Sequence, residues 1–159
     1  MTSATLTRVL GFLGLVPFML PSYLMANAAL FGSGLQSAAI FGLYGPYVFI
    51  AYSAIILSFL GGTLWAQARQ ADDSSALMTI LFSNLLALSA WACLLLIYIA
   101  PIMTVFSVCL LLAGYLGMLF AESLNDVSRQ RKYWRMRLWL TFWVALAHLL
   151  VISLMMAEL

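Results

Sequence analysis

The sequence predicts an all-α fold, in which five transmembrane helices form one polytopic bundle with a cytoplasmic N-terminus and a periplasmic C-terminus. Hydrophobic residues make up 65% of the 159 and charged residues only 8%, whereas a soluble domain carries about 25% charged residues. Five apolar stretches of 20 to 23 residues each match the roughly 20 residues that a helix needs to cross a hydrocarbon core. The composition excludes a water-soluble globule, and residues 1–159 are expected to form a single transmembrane domain.

The positions of the basic residues predict how the chain threads the membrane. The apolar stretches cover residues 9–30, 45–66, 76–98, 102–121 and 138–157. With these spans, all seven lysines and arginines fall on the side of the N-terminus. Basic residues beside membrane spans stay in the bacterial cytoplasm, so the distribution indicates a multi-pass protein of the bacterial inner membrane. Merging or splitting a span would scatter the cations over both sides, which supports a count of five.

The first span contains two prolines, Pro17 and Pro21, which lie on one helix face because they are four residues apart. Each proline removes an internal backbone hydrogen bond and bends the helix. A kink is therefore expected in this span. It either fits the helix around a neighbour or leaves free carbonyl groups beside a cavity or hinge.

The loop after the first span, residues 31–44, contains no charged residue. Such a loop is too apolar for an ordinary solvated connection. We expect an interfacial helix or a flap that lies on the bundle. This segment would act either as a lid over a ligand site or as a surface anchor.

Spans two and four carry small residues at every fourth position, where helices in lipid can approach one another closely. These are Ala54, Ser58, Gly62 and Ala66 in span two and Ala113, Gly117 and Ala121 in span four. The two rows are expected to pack against other helices of the bundle or against a second copy of the chain.

Polar side chains at membrane depth are the candidates for a ligand-binding site. Ser58, Asn84 and His148 each lie about eight to eleven residues from the cytoplasmic end of their spans, so the three could share a layer. Ionisable groups inside a membrane favour a functional site. A neutral imidazole bonded to Ser or Asn would also be an inexpensive structural pin, so both interpretations stay open.

A bound cofactor is not expected. The single histidine cannot supply bis-histidine ligation of haem within one chain, although His148 could pair with Met118, Met155 or Met156. Methionines in an apolar chain are more often core filler than ligands. The sequence also lacks metal-ligand spacing and a catalytic constellation, so we expect no metal site and no enzymatic activity.

Glu122 lies at the inner end of span four and is expected to pair with Arg129 or with the arginines that open span five. The alternative is a proton or cation path through Glu122 and His148.

The segment before span five holds five of the seven cations, which are Arg129, Arg131, Lys132, Arg135 and Arg137. Basic residues at a membrane surface attract anionic lipid headgroups by about 1 kcal/mol each. Lipid headgroups are the expected partners of this segment, and a cytoplasmic protein is the alternative. No basic stretch with interleaved aromatic residues lies away from the membrane boundary, so nucleic-acid binding is not expected.

Three segments carry a family resemblance: residues 10–18 (LGFLGLVPF), 56–65 (ILSFLGGTLW) and 133–141 (YWRMRLWLT). They resemble an uncharacterised family of small five-span bacterial inner-membrane proteins related to mitochondrial transmembrane protein sixty-nine. In that family a histidine often precedes the tryptophan of the glycine motif, where this chain has Leu64, and Asp126 matches an aspartate before the arginine motif. The resemblance implies a five-span inner-membrane fold and no established activity. In architecture alone, the chain also resembles the translocator-protein family, which binds tetrapyrroles.

These features favour a non-catalytic accessory or assembly partner of larger membrane complexes, such as respiratory ones. The first alternative is a five-helix binding module for a hydrophobic small molecule, namely a quinone, a tetrapyrrole or a lipid. The second alternative is the proton or cation path. A membrane-protein partner or a homodimer is compatible with the small-residue rows.

Overall fold

The structure is a computed structural model. It describes residues 3–70, 74–124 and 131–158. In chain order their elements are α1 (Ser3–Leu13), α2 (Val16–Leu30), a 3-10 turn (Leu35–Ser37), β1 (Ala39–Ile40), β2 (Leu43–Tyr44), α3 (Gly45–Ala68), α4 (Ser74–Leu96), α5 (Pro101–Leu124) and α6 (Arg131–Met156). Five helical stretches within these residues are long and apolar enough to cross a membrane: Thr5–Leu30, Gly45–Ala68, Ala76–Leu96, Pro101–Leu124 and Tyr133–Met156. The predicted all-α fold with five helices long and apolar enough to span a membrane is thus confirmed.

The first span is interrupted between α1 and α2. α1 ends at Leu13, whose carbonyl receives no helical hydrogen bond from Pro17 because proline has no N–H. The neighbouring carbonyl of Gly14 accepts a hydrogen bond from the Tyr52 hydroxyl of α3 at 3.0 Å. The helix is therefore interrupted just before Pro17, one of the two positions where a bend was expected, whereas Pro21 lies inside the uninterrupted helix α2.

The loop predicted between the fourth and fifth spans is shorter in the structure. α5 continues to Leu124 and α6 begins at Arg131, seven residues before the predicted start at residue 138. Lys and Arg are good helix formers, so α6 extends beyond the apolar stretch that hydropathy detects. Asp126 and Arg129 lie outside the described residues.

α3 lies at the centre of the bundle, where it packs against α2, α4 and α5, and α6 packs against α2 and α5. Two glycines allow α3 to pack closely against its neighbours: Gly61 of α3 faces α4, and Gly114 of α5 faces α3. A Cβ atom on Gly61 would lie 3.1 Å from the carbonyl oxygen of Ser83 in α4. A Cβ atom on Gly114 of α5 would lie 2.5 Å from Cδ2 of Leu57. Glycine at these positions therefore determines how closely α3 approaches its neighbours.

The predicted rows of small residues only partly coincide with these contacts. Ala54 is buried, Ser58, Gly117 and Ala121 are half-buried, and Gly62, Ala66 and Ala113 are exposed. An α-helix advances 100° per residue, so positions four apart rotate by about 40° at each step and leave the contact face. The prediction that Gly62 packs against another helix of the bundle is therefore wrong, since nothing lies within 4 Å of a Cβ atom on Gly62. Its neighbour Gly61 makes that contact instead.

Residues 31–44, which we call the cap, lie across the end of the bundle where α2 meets α3. Leu35 and Ala38 are buried, and a Cβ atom on Gly45 would come 2.7 Å from the Ala38 carbonyl oxygen. The backbone N–H of Leu35 donates to a carboxylate oxygen of Glu158, close to the end of the chain. The expected flap is present, as a turn and a hairpin rather than as an interfacial helix.

Candidate functional site

His148 is completely buried in the bundle. Its Nδ1 lies 2.8 Å from the Val144 carbonyl oxygen, and its Nε2 lies 2.9 Å from the Ser53 hydroxyl. Because a carbonyl oxygen only accepts, we assign the proton to Nδ1 and let Nε2 accept from Ser53, which gives a neutral imidazole. The Tyr115 hydroxyl extends this network by donating to the Ser53 carbonyl oxygen at 2.9 Å. Both ring nitrogens are occupied, which favours a structural pin.

Three aromatic rings surround this imidazole. The ring centroids of Phe49, Tyr115 and Phe18 lie 4.8, 5.4 and 5.9 Å from that of His148, within the range of favourable ring pairs. The rings belong to α3, α5 and α2, whereas His148 belongs to α6. Four helices of the bundle therefore meet around this one side chain.

The predicted layer of Ser58, Asn84 and His148 does not form. Asn84 is exposed on α4, where its Nδ2 donates to the Ile80 carbonyl oxygen at 2.9 Å. Ser58 is half-buried on α3. Neither side chain hydrogen-bonds to the imidazole, because both ring nitrogens already have other partners.

Ser53, which was not among the predicted site residues, hydrogen-bonds to His148 in place of Ser58 or Asn84. Ser53 lies 15 residues before Ala68, and His148 lies 15 residues after Tyr133, so the two are at equal depth from the same end of the bundle. The prediction measured depth from the ends of the apolar stretches. Because α6 extends beyond its apolar stretch, that measure selected Ser58 in place of Ser53.

A buried ion pair joins α5 to α6. Arg137 Nε lies 2.6 Å from Glu122 Oε2, and the two side chains are only 9% and 6% exposed. Desolvation of both ions is costly, so a buried pair of this kind depends on close geometry. The expected pairing of Glu122 with an arginine that opens the fifth span is confirmed. Arg137 must therefore be removed from the cations predicted to face lipid headgroups.

The remaining cations of that segment are only partly described. Arg135 is exposed near the start of α6, where a lipid headgroup could reach it. Arg131 and Lys132 belong to the first turn of α6, but their side chains lie outside the described part, and so does Arg129.

An apolar cavity of about 380 Å³ lies between α1, α2, α3, α5 and α6. Arg137 contributes to its wall, and Phe18 and Tyr115 extend the cavity to the rings around His148. Gly14, at the break in the first span, also lines it. Its volume lies within the roughly 300–1,000 Å³ of small-molecule sites. The interrupted first span therefore borders a cavity, which was one of the outcomes expected from its prolines.

A more polar cavity of about 580 Å³ lies beneath the cap. Tyr44, Tyr47 and Glu158 are among its lining residues. Burial, followed by the nearby Glu158 carboxylate and Tyr47, raises the pKa of Tyr44 above its ordinary value. A lid function of the cap stays a prediction.

Among residues 3–70, 74–124 and 131–158, no group of three or more His, Cys, Asp or Glu side chains is placed to hold a metal ion. The ring nitrogens of His148 are both bonded within the protein, which leaves neither available to haem iron in this arrangement. Met118 and Met155 are buried in the core and Met156 is exposed.

No curated protein and no solved structure matches the chain significantly. A family described as "Protein of unknown function (DUF3429)" matches residues 3–153. The matched part contains the His148 network, the buried ion pair and the whole apolar cavity. This protein therefore belongs to the DUF3429 family.

Proposed function

We propose that this protein is a non-catalytic binding module for a hydrophobic small molecule, namely a quinone, a tetrapyrrole or a lipid. The observation that carries the proposal is the apolar cavity of about 380 Å³ beside the interrupted first span. The sequence alone favoured an accessory role. The cavity favours ligand binding because it combines apolar walls with a small number of polar groups, as small-molecule sites do.

Arg137 is the ionised side chain in the wall of this cavity. Its Nε donates to Glu122, and its two Nη groups carry the remaining N–H donors. A guanidinium carries five N–H donors and no acceptor. The ligand chemistry that fits is therefore an apolar body with a carbonyl or carboxylate oxygen, which Arg137 would bind while Glu122 holds the guanidinium in place.

Two glycines, one in α1 and one in the following turn, lie in the wall of the cavity at positions where a larger side chain would meet protein atoms. A Cβ atom on Gly11 would lie 3.2 Å from Cδ1 of Leu140, and one on Gly14 would lie 3.2 Å from the Gly11 carbonyl oxygen. Gly11, Gly14 and Leu140 all line the cavity. Larger side chains at these positions would fill the space that we assign to the ligand.

The test is a titration of the protein in lipid nanodiscs with decylubiquinone and, separately, with protoporphyrin IX, followed by thermal unfolding. A ligand at 100 times its Kd stabilises the folded state by about 2.7 kcal/mol. We expect at least one probe to raise the unfolding temperature, and we expect Leu140→Trp to abolish the shift by filling the cavity. Leu149→Trp is the matched control because Leu149 lies on the exposed face of the same helix.

Two results would overturn the proposal. The first is the absence of any shift with both probes, together with the absence of a co-purified small molecule in mass spectra. The second is an equal shift in the Leu140→Trp and Leu149→Trp variants, because binding would then occur elsewhere.

The proposed location is the bacterial inner membrane, with the N-terminus in the cytoplasm. It is supported by the distribution of basic residues, which predicts this orientation. Arg135 would then contact anionic headgroups of the cytoplasmic leaflet, and the cavity would open in the cytoplasmic half of the bundle. The relation to mitochondrial transmembrane protein sixty-nine stays a prediction.

An accessory or assembly role in a larger membrane complex is the second candidate. It is favoured by the apolar surface of the cap end, where Leu30, Phe31 and Phe41 are 84%, 81% and 101% exposed. Extraction from native membranes in nanodiscs, followed by mass spectrometry, tests this role. Stoichiometric protein partners would support it. A proton or cation path has less support, because Glu122 is paired with Arg137 and His148 has both nitrogens bonded.

A further inference from the structure

α4 lies at the edge of the bundle. Among the described helices it packs against α3 and α5, and only 22% of the most apolar stretch of its span is buried, against 44% for α5. The buried face carries Ser83, Leu86, Ala90 and Cys93. The opposite face therefore meets lipid or another protein.

Asn84 lies on this outer face, far from the polar edge of the membrane. It is eight residues into the span Ala76–Leu96, which corresponds to a depth of about 12 Å at 1.5 Å per residue. Its Nδ2 donates one hydrogen bond, to the Ile80 carbonyl oxygen of the same helix. The second N–H and the Oδ1 acceptor have no partner in the described part of the chain. Unsatisfied polar groups are costly in hydrocarbon, so Asn84 calls for a partner outside this chain.

The surroundings of Asn84 form a regular apolar stripe, which we call the α4 seam. It consists of Leu77, Leu81, Asn84, Leu88, Trp91 and Leu95, which are all exposed and follow one another at alternating steps of four and three residues. This spacing is the heptad pattern of helices that pack in parallel pairs, and one polar Asn in such a seam specifies register and oligomeric state.

The partner that fits the α4 seam is a second copy of the same chain. All copies of a membrane protein have one orientation, so two α4 helices that pair about a twofold axis along the membrane normal run parallel. Asn84 of one copy then lies opposite Asn84 of the other. The partial charges are complementary, because the N–H of each carboxamide faces the Oδ1 of its counterpart. We propose that the protein forms a parallel homodimer through the α4 seam, with Asn84 as its central hydrogen-bonded pair.

This dimer would leave the cavity assigned to a ligand accessible, because that cavity is lined by α1, α2, α3, α5 and α6 and not by α4. The inference is therefore independent of the proposed function. A variant of the seam is expected to change association without changing ligand binding.

The first experiment measures association by energy transfer between differently labelled copies in vesicles of phosphatidylethanolamine and phosphatidylglycerol, at increasing lipid dilution. We expect reversible dimers for the native chain. Asn84→Leu should weaken association by about 3- to 30-fold, the range expected for interhelical hydrogen bonds in membranes, and Asn84→Gln, which keeps the carboxamide, should restore part of it. Unaltered thermal unfolding at a lipid dilution where both chains are monomeric would show that Asn84→Leu folds, since within one chain the native side chain bonds only to its own helix.

The second experiment is oxidative cross-linking of single cysteines in a Cys109→Ala background, because Cys109 is exposed whereas Cys93 is buried. Leu88→Cys, one turn from Asn84 in the seam, should cross-link, and Leu149→Cys on the exposed face of α6 should not. A monomeric native chain would overturn the proposal. So would a dimer that Asn84→Leu leaves unchanged, or one that cross-links through Leu149→Cys and not through Leu88→Cys.

Discussion

At the scale of single residues, polar side chains connect helices that hydrophobicity cannot hold together in lipid. His148 receives a hydrogen bond from Ser53 and donates one to Val144, and Glu122 pairs with Arg137. In a membrane the lipid tails are as apolar as leucine, so association depends on packing and on interhelical hydrogen bonds. These few polar groups therefore contribute specificity that the apolar side chains do not supply.

The His148 network predicts a loss of stability when the imidazole is replaced. His148→Leu would leave the Ser53 hydroxyl without its acceptor and alter the packing of the surrounding rings. We expect the free energy of unfolding to fall by about 1–3 kcal/mol, measured by denaturant titration in mixed micelles. The double variant with Ser53→Ala should cost less than the sum of the single changes. Additive losses would contradict the direct hydrogen bond.

The ion pair predicts a different pattern. Glu122→Leu alone leaves the Arg137 charge buried without its partner, which costs about 3–5 kcal/mol in comparable pairs. The double variant Glu122→Leu/Arg137→Met removes both charges and should be more stable than Glu122→Leu. Thermal unfolding in nanodiscs measures both. If the double variant were the less stable one, Arg137 would owe its position to contacts other than Glu122.

At the scale of elements, the size of a single residue at each contact determines how closely two helices approach. The adjacent glycines of α3 illustrate this, because a Cβ atom on Gly61 would meet the Ser83 carbonyl of α4, whereas one on Gly62 would meet nothing within 4 Å. The sequence pattern favoured Gly62. Both glycines are equally suitable for close packing by residue type, and only the rotation of α3 in the bundle distinguishes them.

The pair provides a matched test of that rotation. Gly61→Leu should force α3 and α4 apart and lower the free energy of unfolding by about 1–3 kcal/mol, the usual cost of overpacking. Gly62→Leu should be neutral or stabilising, because leucine has the higher helix propensity and meets no neighbour. Thermal unfolding in nanodiscs compares the two. Equal destabilisation by both changes would show that the α3–α4 contact is not the cause.

At the scale of the whole molecule, the two ends of the bundle differ in chemistry. One end carries the cap, which is tied to Glu158 through the backbone of Leu35. The opposite end carries the Glu122–Arg137 pair and the exposed Arg135. The apolar cavity lies toward the basic end and the larger polar cavity beneath the cap, so a ligand would meet different surfaces from the two sides of the membrane.

The predicted orientation can be tested with single cysteines in a Cys109→Ala background and a membrane-impermeant maleimide. Gln36→Cys, which is exposed in the cap, should be labelled in intact spheroplasts, because the distribution of the basic residues predicts that the cap end lies outside the cytoplasm. Gln67→Cys, exposed near the end of α3, should be labelled only after lysis. The reverse pattern would contradict the predicted topology.

The sequence by itself determined the architecture, because composition and span length depend on local properties of the chain. Apolar runs of sufficient length must satisfy their own backbone hydrogen bonds in lipid, and helices do so. The break at Pro17 and the pairing of Glu122 with an arginine of the fifth span also follow from single residues and their order. These features were correctly predicted, and they needed no knowledge of which helices are neighbours.

Only the tertiary structure decided which residues meet. Hydropathy does not encode how each helix is rotated, or that α6 begins several residues before its apolar stretch. For this reason Ser53 was not predicted as the partner of His148, and Asn84 was predicted in the core although it is exposed. The cavity depends on the positions of five helices at once, and its wall groups are scattered along the chain. The physical reason is that lipid and protein interior are both apolar, so the hydrophobic pattern of a membrane helix does not distinguish its packed face from its lipid face.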